Sequence, residues 1–182
     1  MKEKSLSSST HKSVISARFL PTANLNLSVI TASIITEALA NCSQKMHLRG
    51  KEEVLKGLIK SDDFISGSFR YYIAKQVAEY LGEVEAGVKA VYYLEEQDEP
   101  VQTRLICLIV QVERKTAALA SLMEGLNQSL VEEYKKLMAP NSSQLKYLLS
   151  VIFLDSVEAE SKTGEAAILS SCFNPPMRIW AK

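Results

Sequence analysis

Thr103-Arg104-Leu105-Ile106-Cys107-Leu108-Ile109-Val110-Gln111-Val112, followed almost at once by the segment from Lys115 to Met138, is the stretch that decides the fold. The first part is apolar and rich in β-branched residues, with no polar alternation. That pattern predicts a strand buried on both faces, hence a central one. The second part changes period. Leu119, Leu122, Met123, Leu126, Leu130, Tyr134 and Leu137 recur every three or four residues, the spacing that gathers side chains into one apolar stripe on a helix. Ala139-Pro140-Asn141-Ser142-Ser143 stops it, and a further strand is expected within 145–154. A helix between two strands must bury its stripe on their sheet, so the frame is a small mixed sheet covered by a long helix.

Working outward from that frame, Val88 to Leu94 follows Gly87 and is rich in β-formers, which predicts another strand. Before it the period is helical. Leu27, Ile30, Ile34, Leu39 and Cys42 mark a helix over 26–43 with Asn26 as its N-cap. Val54, Leu55, Leu58 and Ile59 mark a short amphipathic helix over 51–60 after Gly50, and Ser61-Asp62-Asp63 reads as a turn. Phe69, Ile73, Val77 and Tyr80 mark a third helix over 68–81, with Gly82 as its stop. After the third strand, residues 155–164 are polar. Residues 166–172 suit either a short helix or a last strand. Asn174-Pro175-Pro176 turns the chain into a tail where Trp180 is an anchor onto the body or onto a partner subunit. The sequence therefore predicts an α+β fold: an extended or disordered leader over 1–20, then one domain over 21–182, helical over 26–82 and sheet-containing over 88–182.

Composition narrows the function. At 182 residues, 47% hydrophobic and 23% charged, the chain has the balance of an ordinary globular domain. Lys+Arg and Asp+Glu are equal at 21 each, so no whole-molecule field draws nucleic acid or an anionic membrane. No apolar run approaches the roughly 20 residues of a membrane span. Cys42, Cys107 and Cys172 are widely spaced, with no Cys-x-x-Cys and no zinc-type Cys/His spacing. Free thiols suit a reducing cytoplasm. The expectation is a cytoplasmic protein without membrane, metal or cofactor.

The order helix (68–81), strand (88–94), connector, strand (103–112), long helix (115–138), strand (145–154) resembles the core of the nucleotidyltransferase-like fold. That resemblance implies a Gly-Ser turn after one strand, an Asp-x-Asp on the next and a third carboxylate on the following strand. Carboxylates at i and i+2 of a strand share a face and grip the same pair of ions. Here Glu95-Glu96 stands where Gly-Ser belongs, and Thr103-Arg104-Leu105 or Arg104-Leu105-Ile106 where Asp-x-Asp belongs. Ser150 to Leu154 offers no carboxylate before Asp155. The resemblance thus implies a member lacking the metal site.

Among the remaining chemistry-bearing residues, Ser66, Ser68, Arg70 and Tyr71 form the ligand-binding candidate. A helix starting near Ser66-Gly67-Ser68 would aim free N–H groups and the Arg70 guanidinium at a phosphate, and the plainer role is a serine cap with Phe69 packed inward. Glu95, Glu96, Asp98 and Glu99 read as a solvated connector. His11 lies in the leader and His47 in a basic loop with Lys45, Arg49 and Lys51; no partner marks either as a general base. Lys56 and Lys60 continue that basic stretch, which lacks the base-reading Asn, Gln and Arg residues of a helix-turn-helix reader. With no nucleophile, base and stabiliser assembled, no catalytic residue is assigned. The expectation is a non-catalytic binding or protein-interaction domain. An open sheet face or edge leaves room for a homo-oligomer or protein partner. Second stands a divergent enzyme or ligand-binding protein handling a nucleotide or phosphorylated small molecule, and third a DNA-binding regulator.

Overall fold

A computed structural model describes residues 27–95, 105–138 and 145–182. The leader with His11, Asn26, the connector residues Glu96, Asp98 and Glu99, Thr103 and Arg104, and Ala139 to Gln144 lie outside the described residues. The elements are α1 (Leu27–Lys45), α2 (Lys51–Ile59), α3 (Asp63–Val84), β1 (Val88–Leu94), β2 (Ile106–Val112), α4 (Ala117–Met138), β3 (Leu149–Asp155), α5 (Ser156–Ser161), a 3-10 helix (Gly164–Ser170) and β4 (Met177–Ala181). The fold is α+β, with a four-stranded mixed sheet in the order β3-β2-β1-β4.

The apolar run at 106–110 occupies the middle of this sheet. β2 pairs antiparallel with β1 and parallel with β3, and α4 makes the crossover that a parallel pair requires. Successive side chains alternate between faces. Ile106, Leu108, Val110 and Val112 join the main core on the helical side, whereas Ile109 joins a second, smaller cluster with Leu154 and Ala166 on the outer face. α3 lies against β1, β2 and β4, and α1 packs across α3 and α4. Thr31 and Ser129 join α1 to α4 through hydroxyls 2.8 Å apart.

Asn127 shows how α4 fixes the start of β3. It is buried, and its Oδ1 accepts the backbone N–H groups of Leu148 at 3.0 Å and Leu149 at 2.9 Å. The Leu148 carbonyl in turn accepts from Ile106 N at 2.8 Å. The side-chain amide thus satisfies two buried donors at the strand's entrance, where unmet N–H groups are costly.

Several boundaries differ from the sequence expectation. α3 begins five residues early, at Asp63, because Asp62 caps it by accepting from Ile65 N at 2.9 Å. The Asp62 of the expected turn is therefore the cap, and neither Ser66 nor Ser68 is. Gly82 is no stop signal either, since α3 runs on to Val84. A Cβ at Gly82 would collide with the Trp180 indole, so glycine there lets the ring rest on the helix backbone. Gly57 plays the same part for Ile65, bringing α2 close to α3. Strand β2 starts at Ile106, with Leu105 outside it, and β3 covers 149–155. Of the segment 166–172, for which the sequence leaves helix and strand both open, residues up to Ser170 are 3-10 helix, and the tail carrying Trp180 is a strand.

Candidate functional site

α3 carries all four ligand-binding candidates, and its period separates them. Ser66 and Arg70 are four residues apart, share one face and are each 5% exposed. Phe69 beside them stacks on Tyr134 of α4, ring centroids 6.4 Å apart. Burial raises the Tyr134 hydroxyl above its ordinary range, and the nearby Arg70 charge opposes that rise. At roughly 100° per residue, Ser68 points roughly 160° away from Arg70. Ser68 and Tyr71 are half-buried on the side that meets β1 and solvent.

The β1 side forms a corner of its own. Tyr71 meets Tyr93 edge-on, centroids 6.0 Å apart, and Tyr72 at 5.2 Å. Burial lifts the Tyr72 hydroxyl, with the charges of Tyr71 and Cys42 adding to it. Glu95 leaves the end of β1 here, and its Oε1 lies 3.9 Å from where a Cβ on Gly67 would stand. Asn174 closes the corner by donating from Nδ2 to the Glu95 carbonyl at 2.9 Å. So the structure brings together Gly67, Tyr71, Tyr93, Glu95 and Asn174, and it does not bring Ser68 to Arg70.

Two consequences follow for anion chemistry. The free N–H groups of α3 belong to its true first turn, near Asp63, whereas Ser66 N donates to the Asp62 carbonyl at 2.9 Å. The helix-start geometry expected at Ser66–Ser68 is therefore absent, because the helix is already a turn old there. A carboxylate, Glu95, also flanks Gly67, and its charge opposes a phosphate at that spot.

At the positions matched to the nucleotidyltransferase-like motif, Glu95 faces α3 and Asp155 is a cap. Asp155 accepts from Glu158 N at 2.9 Å while Glu158 accepts from Asp155 N at 3.0 Å. The Lys115 ammonium bridges to Glu158 at 2.6 Å and holds its carboxyl below the usual range. Among the described residues, no three His, Cys, Asp or Glu side chains gather to hold a metal ion. The basic stretch is a solvated surface: Lys45, Arg49, Lys56 and Lys60 are exposed, interleaved with Glu52 and Glu53, and Glu53 accepts from Arg49 N at 2.8 Å. No helix among the described residues is long and apolar enough to cross a membrane.

Sequence reasoning missed the exposed apolar pair that flanks Pro175-Pro176. Phe173 is fully exposed and Met177 is 55% exposed. Met177 opens β4, an edge strand that pairs with β1 alone among the described residues. A phenylalanine and a methionine beside two prolines carried no period, so nothing in the sequence marked them. No protein-family model, no curated protein and no solved structure matches the chain.

Proposed function

We propose that the protein is a non-catalytic interaction domain that engages another polypeptide, a second copy or a different chain, at the β4 edge and the loop leading into it. The observation that carries this reading is the exposure of Phe173 and Met177 beside an edge strand. An edge presents unpaired N–H and C=O groups to an incoming strand. Aromatic and methionine side chains are the types that interface centres favour. The balanced charge of the chain leaves no net repulsion against a second copy. We read the order α3-β1-β2-α4-β3 as a nucleotidyltransferase-like arrangement without its metal site, which fits a scaffold used for binding.

Handling of a nucleotide or phosphorylated small molecule near Ser66–Tyr71 has less support, because Arg70 is buried on one face of α3 and Glu95 flanks the other. Light scattering over a wide concentration range, with affinity capture on the immobilised protein, tests the interaction reading. Self-association or capture is expected for the native protein. It is expected to be lost in the Phe173→Ser/Met177→Ser double variant with an unchanged circular dichroism spectrum. A strictly monomeric particle that captures nothing, or an interaction untouched by the double variant, refutes it. Thermal stabilisation by nucleotides, with or without magnesium, would favour the phosphorylated-ligand reading instead.

A further inference from the structure

Residues 156–170 leave the end of β3 as α5, turn at Lys162 and Gly164, and return as the 3-10 helix. Both turn residues have positive φ, 55° and 56°. Of these fifteen residues Ala166 is the one that is buried, at 1% exposure, with Ala159, Ile168 and Leu169 half-buried around it. The segment's apolar contacts form a cluster separate from the main core, built on Ile109 and Leu154. Its non-helical backbone hydrogen bonds among the described residues stay within the segment or its own ends, Ala166 N to the Thr163 carbonyl at 3.1 Å and Ser171 N to the Ile168 carbonyl at 3.1 Å. No ladder bond ties it to the sheet among those residues. The remaining tethers among the described residues are the reciprocal Asp155–Glu158 cap at the hinge and the exposed Lys115–Glu158 ion pair, the latter a kind of contact that stabilises little.

Beneath it lies an ordered apolar row. The register places Tyr92 beside Ile109 and Ile109 beside Ile152, three side chains across three strands on the outer face, with Leu154 next along β3. Ile109 is buried and Tyr92 and Ile152 are half-buried under a segment that shares no hydrogen-bond ladder with this face.

We infer that residues 156–170 are a hinged cover, which opens as a unit while the sheet and the main core stay folded and thereby uncovers Tyr92, Ile109 and Ile152. Opening breaks one small cluster, one surface ion pair and at most the two cap bonds between Asp155 and Glu158, and leaves the sheet ladders and the main core intact. Segments with few buried contacts open at free energies well below that of global unfolding. The inference is independent of the partner proposed at β4: the cover opens whether or not anything binds there.

Thiol labelling tests it, because the protein supplies its own references. Cys42 is 0% exposed in the main core, and Cys172 is exposed. In an Ala166→Cys variant, a small thiol reagent with peptide mapping is expected to label the introduced thiol about a hundredfold or more faster than Cys42 and well below the rate of Cys172. Labelling in step with Cys42 overturns the inference, since the segment then opens only with the whole molecule; labelling as fast as Cys172 overturns it too, since no closed state then exists. Hydrogen exchange of the unmodified protein gives a second, variant-free measurement. The Ala166 amide is expected to exchange with a much shallower denaturant dependence than the Val110 amide, and equal slopes overturn the proposal.

Discussion

Replacing Gly82 by alanine tests the packing of the C-terminal strand against α3, and the structure sets the sign of the result. Inside an ordinary helix, Gly→Ala stabilises by about 1 kcal/mol, because alanine loses less backbone entropy on folding. At position 82 the new Cβ would overlap the Trp180 indole. The ring cannot slide away along the helix, because β4 is held in register on β1, with Trp180 opposite Val91. It must rotate out. Full removal of a buried tryptophan side chain costs about 3–5 kcal/mol; Trp180 is half-buried, so about half of that is at stake. Subtracting the helical gain leaves a net destabilisation of about 1 kcal/mol. Trp180 is the single tryptophan in the chain, so urea unfolding followed by its fluorescence reads the contact and the stability together. Gly82→Ala is expected to shift the native emission to the red and lower the midpoint. In a Trp180→Ala background, followed by circular dichroism, the same substitution is expected to stabilise by up to about 1 kcal/mol, the ordinary helical value. Stabilisation in both backgrounds with unmoved emission would refute the packing.

Asn127→Leu leaves the buried N–H groups of Leu148 and Leu149 without their acceptor; a loss of about 2–5 kcal/mol is expected in chemical denaturation, and a loss under about 1 kcal/mol would show that water or a neighbour replaces the amide. Thr31→Val keeps the shape but removes the hydroxyl contact to Ser129 together with the bond to the Leu27 carbonyl, so about 1 kcal/mol should be lost, and less should be lost when Ser129 is already alanine. Burial pushes the Cys42 thiol up from 9.0 to about 11. Its folded value lies above its unfolded one, so the stabilisation is complete below about pH 9 and is lost as pH climbs towards 11. Cys42→Ala should flatten the first part of that alkaline decline in the urea midpoint; an identical decline with and without the thiol would rule Cys42 out as its source.

The periodic elements were legible because burial imposes period on sequence. The unbroken run at 106–110 became the strand between two neighbours, and the stripe from Leu119 to Leu137 became the crossover helix. Local punctuation misled. Ser66-Gly67-Ser68 and Gly82 have the composition of a helix's ends, yet α3 runs through both. At Gly82 the glycine answers a tertiary contact, the Trp180 ring, that lies 98 positions away in sequence and leaves no local trace. The sequence of β4 reads as an anchoring tail and not as a strand for a related reason. A register shift between Val91 and Tyr92 turns Ile179 and Trp180 both towards the main core, and the period of two that marks a strand is broken there. The same punctuation governs the candidate site: a helix start at Ser66–Ser68 would aim Ser68 and Arg70 at one ligand, whereas in a helix that begins at Asp63 they lie on different faces.

The corrected placement also changes which chemistry the fold can support. Burying a guanidinium is costly unless its hydrogen bonds are met inside, so a fold that holds Arg70 at 5% exposure beside Phe69 and Tyr134 has turned that charge to the interior. A phosphate could reach it only by displacing the side chains that bury it. Asn127, Asp62, Asp155 and Glu158 are likewise engaged with backbone N–H groups. Contact at Phe173 requires no such rearrangement. Covering an exposed aromatic side chain of about 150 Å² at about 25 cal/mol per Å² contributes up to about 4 kcal/mol before the costs of association. Between uncovering a buried arginine and covering a phenylalanine that already faces water, the second is the smaller demand, and it favours a partner at β4 over an anion on α3.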